Sequence, residues 1–203
     1  MSDPPADPPT ALGPAASFLV VLIALLALGG WAVDHAALAA AFPPIADMTF
    51  NTALAFLLLA TALLLPAGRA EGEARRRLRM LLAAAVALFA ALSLIEDLFS
   101  VDLAIDNLLF HTPPLETSSP HPGRMSPLTA TAFLLSAGAL LLLARRGDPA
   151  VPAVVVHAMI LTVGLTGLVG FAMHLLIREV PPSQRHLFSI SEMTALAFLL
   201  LAA

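Results

Sequence analysis

Six stretches of this chain are too poor in polar residues to be covered by any water-soluble fold. They span residues 16–33, 50–65, 80–98, 127–144, 151–177 and 190–203. A helix needs about 20 residues to cross roughly 30 Å of hydrocarbon. The first five stretches qualify, the second only if its polar first turn reaches into the interface. The sixth has about 14 residues, or roughly 21 Å of helix. It ends in LAFLLLAA with no cap or charge, which reads as a helix that continues past residue 203. Transmembrane strands would alternate apolar and polar residues. These runs are apolar on every face and rich in Ala and Leu, which favour helix.

Composition agrees. Of 203 residues, 59% are hydrophobic and only 12% are charged, against about 25% charged in an ordinary soluble chain. The expected fold is therefore all-α: a polytopic membrane bundle with six transmembrane helices over residues 15–203. Residues 1–14 hold five prolines and two aspartates without a basic residue. That composition predicts a disordered tail, not a signal peptide, which needs a positive n-region.

All ten basic residues are arginines. Arg69, Arg75, Arg76, Arg77 and Arg79 lie between the second and third runs, and Arg145 and Arg146 between the fourth and fifth. Arg124, Arg178 and Arg185 fall on the alternate links. The positive-inside rule then puts the arginine-rich links and both termini in the cytoplasm. A multi-pass membrane protein, with the lipid bilayer as its first partner, is the expected setting.

Three segments align without gaps: MTFNTALAFLLLATALLL from Met48, MSPLTATAFLLSAGALLL from Met125 and ISEMTALAFLLLAA from Ile190. Thr52, Thr129 and Thr194 share a column, as do Phe56, Phe133 and Phe198. Asn51 precedes the first threonine, where Leu128 and Met193 stand in the other copies. Each segment opens an even-numbered helix after an outer link. This predicts three repeated helical hairpins, in parallel orientation rather than the inverted orientation of many transporters. A membrane threonine can bond a carbonyl one turn earlier or a neighbouring helix. The columns are accordingly read as a packing device, and so is the Gly164, Gly167, Gly170 series.

The stretch EDLFSVDLAIDNLLF (96–110), followed by PGRMSPLTATAFLLSAGALLLL from Pro122, resembles the multi-helix N-terminal membrane region of bacterial sensor proteins. In that family the region precedes cytoplasmic PAS or GAF modules and then a histidine kinase or a diguanylate cyclase. The resemblance covers about residues 17–203. It implies a sensory input region passing a signal from the outer face or the bilayer through the sixth helix to a cytoplasmic output domain in cis. It also implies a place in the bacterial inner membrane and signalling as a homodimer. It carries over no ligand and no catalytic residue.

Ionisable groups gather on the outer links. The candidates for a polar vestibule there are Asp34, His35, Glu96, Asp97, His111, His174, Arg178 and Glu192, with Asp102, Asp106 and Arg124 nearby in sequence. Histidine titrates near neutrality, so pH or small-molecule sensing is one reading. Imidazoles at His111, His121, His174 and His186 suit zinc or copper, but no pair has tight ligand spacing, so no metal is assigned. Residues 98–109 carry a helical apolar pattern with Asp102 and Asp106 on another face, which predicts a short amphipathic helix on the membrane surface, its acids in water.

His157 lies inside the fifth run, where a bond to a neighbouring helix is expected. It stands 17 residues from His174, or about 25 Å along a helix, so the two cannot share a haem and no cofactor is expected. Cysteine is absent, which removes thiolate metal sites and disulfides. Nucleophile, Walker and HExxH motifs are also missing, so no enzyme activity is expected of this region. The net charge of −4 gives no reason to expect nucleic-acid binding. A small six-helix transporter or channel is the competing class, and a membrane enzyme using the outer carboxylates and histidines a third.

Overall fold

The structure is a computed structural model that describes residues 12–33, 35–65, 72–106, 123–144, 153–176 and 190–203. The described residues form eight helices: α1 (Leu12–Val33), α2 (His35–Ala41), α3 (Pro43–Ala46), α4 (Phe50–Leu64), α5 (Glu73–Phe99), α6 (Pro127–Ala144), α7 (Ala153–Leu176) and α8 (Glu192–Ala202). Among them α1, α5, α6 and α7 are long and apolar enough to cross a membrane, while α4 and α8 are shorter.

The bundle is inverted relative to a soluble protein. Its interior is mostly alanine: Ala24, Ala53, Ala60, Ala83, Ala130 and Ala137 are all fully buried. Large aliphatic side chains point outward instead, including Leu22 and Leu26 on α1, Leu81 and Leu88 on α5, and Leu161 and Leu165 on α7. In water this would be ruinous. In lipid, helix association comes from close packing of small residues, while leucine is at home against acyl chains.

Helices pair as α1 with α4, α5 with α6, and α7 with α8. Further contacts of α4 with α5, α6 with α7 and α8 with α1 close these pairs into a ring. The centre is aromatic. Phe56, Phe133 and Phe198, one each from α4, α6 and α8, are buried to 1% exposure or less. Their ring centroids are 4.6, 4.8 and 5.0 Å apart, at tilted or edge-to-face angles. Aromatic rings favour this arrangement because the positive ring edge meets the negative face of its neighbour.

The same three helices start alike. Thr49, Ser126 and Ser191 each accept a bond from the amide of the threonine three residues on, at 3.3, 3.3 and 3.2 Å. That satisfies one of the orphan N–H groups of the first turn. The hydroxyls of Thr52, Thr129 and Thr194 pair with the cap hydroxyls at 2.9, 2.9 and 2.8 Å. The threonines therefore close a local cap rather than bonding a carbonyl one turn earlier or another helix. Back-bonding of that kind occurs at Thr131, Ser136, Thr162 and Thr166.

Glycines set the α7–α8 contact. A Cβ at Gly167 would lie 2.8 Å from the Ala195 carbonyl oxygen, and one at Gly170 would lie 3.2 Å from Ile190. At Gly167 only a bare backbone allows so close an approach, while at Gly170 the Ile190 side chain would have to give by a few tenths of an ångström.

Several boundaries differ from the sequence reading. α1 begins at Leu12, so residues 12–14 are helical rather than tail; Pro14 is tolerated because a first-turn amide has no partner to lose. α5 begins at Glu73, so Arg75, Arg76, Arg77 and Arg79 stand on the helix and not in a link. Glu73 holds Arg76 and Arg77 at 3.0 Å, a negative charge near a helix N-terminus where the dipole favours it. The expected amphipathic helix over 98–109 does not form in its described part. α5 stops at Phe99, Ser100 turns left-handed with φ 51°, and Ala104 does so again with φ 58°. His157 is exposed and bonds the Ala153 carbonyl of its own helix at 2.7 Å, not a neighbouring helix.

Candidate functional site

One polar cluster interrupts the apolar interior, at the end of α5. The buried face of α5 follows helical spacing through Arg79, Ala83, Val86, Ala90, Ser93 and Glu96. The last position of that stripe is a carboxylate with no exposed surface. Glu96 thus sits in the packed interior and not in an aqueous vestibule.

The chain beyond α5 folds back over this carboxylate. The left-handed Ser100 lets both its own amide and that of Val101 reach the Glu96 carbonyl, the six-to-one closure of a Schellman turn. The backbone then brings the Leu103 amide to Glu96 Oε1 at 2.7 Å. Asp102 accepts from the Ala104 amide at 2.8 Å, which secures the second left-handed residue. The segment ends at Asp106, whose side chain is 6% exposed. The sequence pattern put this aspartate in water; the turn carries it into the protein.

Arg124 binds the parts together. Its side chain is 6% exposed, and its Nε donates to Asp106 Oδ2 at 2.7 Å. The guanidinium nitrogens lie 3.6 Å from Glu96 Oε1 and 3.6 Å from Asp97 Oδ1. The first contact is a charge-assisted hydrogen bond; the other two are electrostatic contacts at longer range. Gly123, with φ 90°, makes the turn that delivers Arg124 just before α6. From α4, Asn51 Nδ2 donates to the Asp106 carbonyl oxygen at 3.1 Å. Burial disfavours the guanidinium charge, but the Asp106 bond and the nearby Asp106, Glu96 and Asp97 charges outweigh it and raise the Arg124 pKa above its ordinary value.

Four chain segments thereby meet at one point: the first turn of α4, the last turns of α5, the 100–106 turn and the entry to α6. Because Leu128 and Met193 occupy the Asn51 column in the other two repeats, the Asn51 link belongs to α4 alone. Among the described residues, Glu96 Oε2 and Ser93 Oγ are buried atoms that form no hydrogen bond. Both residues are 0% exposed and stand three positions apart on one face of α5.

Of the vestibule candidates, Glu96 and Asp97 come together in this cluster, and Glu192 stands in the first turn of α8. Asp34, His111 and Arg178 lie outside the described residues, as do the side chains of His35 and His174. Among the described residues no group of three or more His, Cys, Asp or Glu side chains is placed to hold a metal ion. The organising residues, Arg124 and Asp106, stood in the sequence only among many outer-link charges. Their signal was the glycine before Arg124 and an aspartate in an apolar run, and neither names its partner. Ser93 carried no signal beyond its place on the helical stripe. Thr49, Ser126 and Ser191 did: each stands three residues before a repeat threonine.

No protein-family model matches the chain, and no curated protein and no solved structure is significantly similar to it.

Proposed function

We propose that the chain is the membrane-embedded input region of a bacterial signalling protein, built as three helical hairpins that cross the inner membrane six times. In this reading the arginine-bearing start of α5 faces the cytoplasm, and the Arg124 cluster lies at the outer face. α8 is then the element through which a cytoplasmic kinase or cyclase would be driven, in a homodimer. One observation carries the reading. A single guanidinium joins the end of α5, the 100–106 turn and the entry to α6, so a change of charge there alters how two long helices are held. The family resemblance of the 96–110 and 122–143 segments supports it independently.

The competing transporter or channel reading meets a specific obstacle. The phenylalanine triad fills the centre of the ring with contacts of 4.6–5.0 Å between centroids, where a central path would have to run. A chimera tests the choice: the chain joined in frame after α8 to a diguanylate cyclase catalytic domain, with cyclic-di-GMP read in cells. Output should shift several-fold between wild type and Arg124→Met, or as outer pH and salt are varied. Output indifferent to the substitution and to every outer condition would reject the sensory reading. Solute flux through liposomes bearing the intact chain would favour the transporter.

A further inference from the structure

α5 is longer than a membrane needs. Its 27 residues make a helix of about 40 Å, against roughly 30 Å of hydrocarbon. Residues 80–95 carry no charge, and every charge at the start of α5 falls within 73–79. With the uncharged stretch in hydrocarbon, the first two turns of α5 stand at the depth of the lipid headgroups. They carry Arg75, Arg76, Arg77 and Arg79 against Glu73 alone. By alternation of the spans, the stretches 1–11, 66–71 and 145–152 join helix ends on this same side. Together they add three arginines and four carboxylates, so the side stays net positive whichever way those stretches run.

The charge also lies on a defined face. Buried positions Arg79, Ala83, Val86 and Ala90 mark the side of α5 turned to the bundle. The opposite side, at the three-and-four spacing of helix neighbours, runs through the exposed residues Arg77, Leu81, Ala84 and Leu88. The Arg77 side chain is 73% exposed, and Leu81 and Leu88 are 67% and 63% exposed. An arginine thus heads an apolar stripe that runs down into the hydrocarbon. Arg75, in the first turn, is exposed as well. Glu73 engages Arg77 through Nε at 3.0 Å, so the terminal nitrogens of that guanidinium can turn to a second anion. A guanidinium matches a phosphate through paired N–H donors. A phospholipid supplies both halves of the fit, a phosphate at headgroup depth and acyl chains beneath it.

We propose that the start of α5 is a binding surface for anionic phospholipid, with Arg75 and Arg77 on the headgroup and the Leu81, Ala84, Leu88 stripe against the acyl chains. Net negative lipid is selected over zwitterionic lipid because the latter brings a cation of its own to the arginines. Glu73 is the internal competitor, since it occupies Arg76 and Arg77 from within the chain. The proposal rests on the membrane-crossing part of the function proposed above and not on its signalling part.

The chain has no cysteine, so a single introduced thiol can carry a fluorophore. A bimane on Ala84→Cys, an exposed position of the stripe, reports the lipid beside it. Quenching by acyl-brominated phosphatidylglycerol and by acyl-brominated phosphatidylcholine, in mixed vesicles holding the full chain, gives the relative affinity of the two lipids at that place. Phosphatidylglycerol should be preferred by at least about fivefold, the factor one arginine gains at an anionic surface. The preference should fall in about 1 M salt, which screens exposed charges. The same label on Leu26→Cys, exposed on α1, should show no preference. Arg75→Gln and Arg77→Gln should each lower the preference several-fold. Glu73→Gln, which releases Arg76 and Arg77, should raise it, an effect that a purely structural ion pair would not produce. Equal affinity for both lipids at Ala84 overturns the proposal. So does an equal preference at Leu26, or an undiminished one in the Arg75→Gln, Arg77→Gln double variant. No quenching by either lipid at Ala84 would also take α5 out of the bilayer and reject the membrane-crossing reading, which equal quenching by both leaves standing.

Discussion

Removing the guanidinium from the cluster is the most informative single perturbation. Arg124→Met keeps most of the side-chain volume and takes away the charge. It leaves Glu96, Asp97 and Asp106 in place, with Glu96 fully buried and the other two side chains 20% and 6% exposed. Breaking a buried pair from one side typically costs about 3–5 kcal/mol, because the remaining charge stays desolvated. For a chain of this size each kcal/mol shifts the melting temperature by about 2–4 °C, so the expected loss is about 6–20 °C. Asp106→Asn alone removes one carboxylate charge and keeps an acceptor for Arg124 Nε, so it should cost less, about 1–2 kcal/mol. The double variant then measures the pair itself, and groups sharing one bond couple by about 0.5–3 kcal/mol. The 2.7 Å contact puts this pair in the upper half of that range. The assay is thermal unfolding in nanodiscs at one scan rate for all four proteins. If Arg124→Met costs less than about 1 kcal/mol, as exposed ion pairs do, the argument from burial is refuted.

Phe133→Ala should destabilise by about 3–5 kcal/mol, the cost of truncating a buried aromatic, and should lower the melting temperature more than Phe42→Ala, whose side chain is exposed. Gly167→Val should cost about 1–3 kcal/mol by overpacking, since its Cβ would meet the Ala195 carbonyl. A disulfide-crosslinking scan between α7 and α8 would show the two helices pushed apart. Ser126→Ala removes one cap bond at the start of α6 and should cost about 1 kcal/mol, with faster amide exchange confined to the first turn of that helix.

The local features were legible in the sequence because they depend on neighbours along the chain. Apolar runs and poor charge content set an all-helical, membrane-type bundle, and hydrophobicity needs no partner to be read. The aligned Thr and Phe columns were visible as a repeat. Glycines 164, 167 and 170 could be read as a packing surface, although the helix they face could not be named. Elsewhere a short polar feature overrides an apolar pattern. The 98–109 pattern is helical in its spacing, yet Ser100 and Ala104 turn left-handed, held by Glu96 and Asp102. Charge usually marks the end of a span, yet Arg75, Arg76, Arg77 and Arg79 lie within α5, because Glu73 starts the helix ahead of them.

What the sequence by itself determined is a class: helices, their apolar character and a repeated aromatic position. These follow from backbone hydrogen bonding and from transfer to an apolar medium, both properties of short segments. The tertiary structure alone decided which charges meet. Asp106 and Arg124 are 18 residues apart, and Asn51 and Asp106 are 55 apart. No periodicity links such positions, because an ion pair depends on distance in space and a buried charge on what surrounds it. Only the fold could turn Glu96 from one acid among many on an outer link into a fully buried carboxylate beside Arg124.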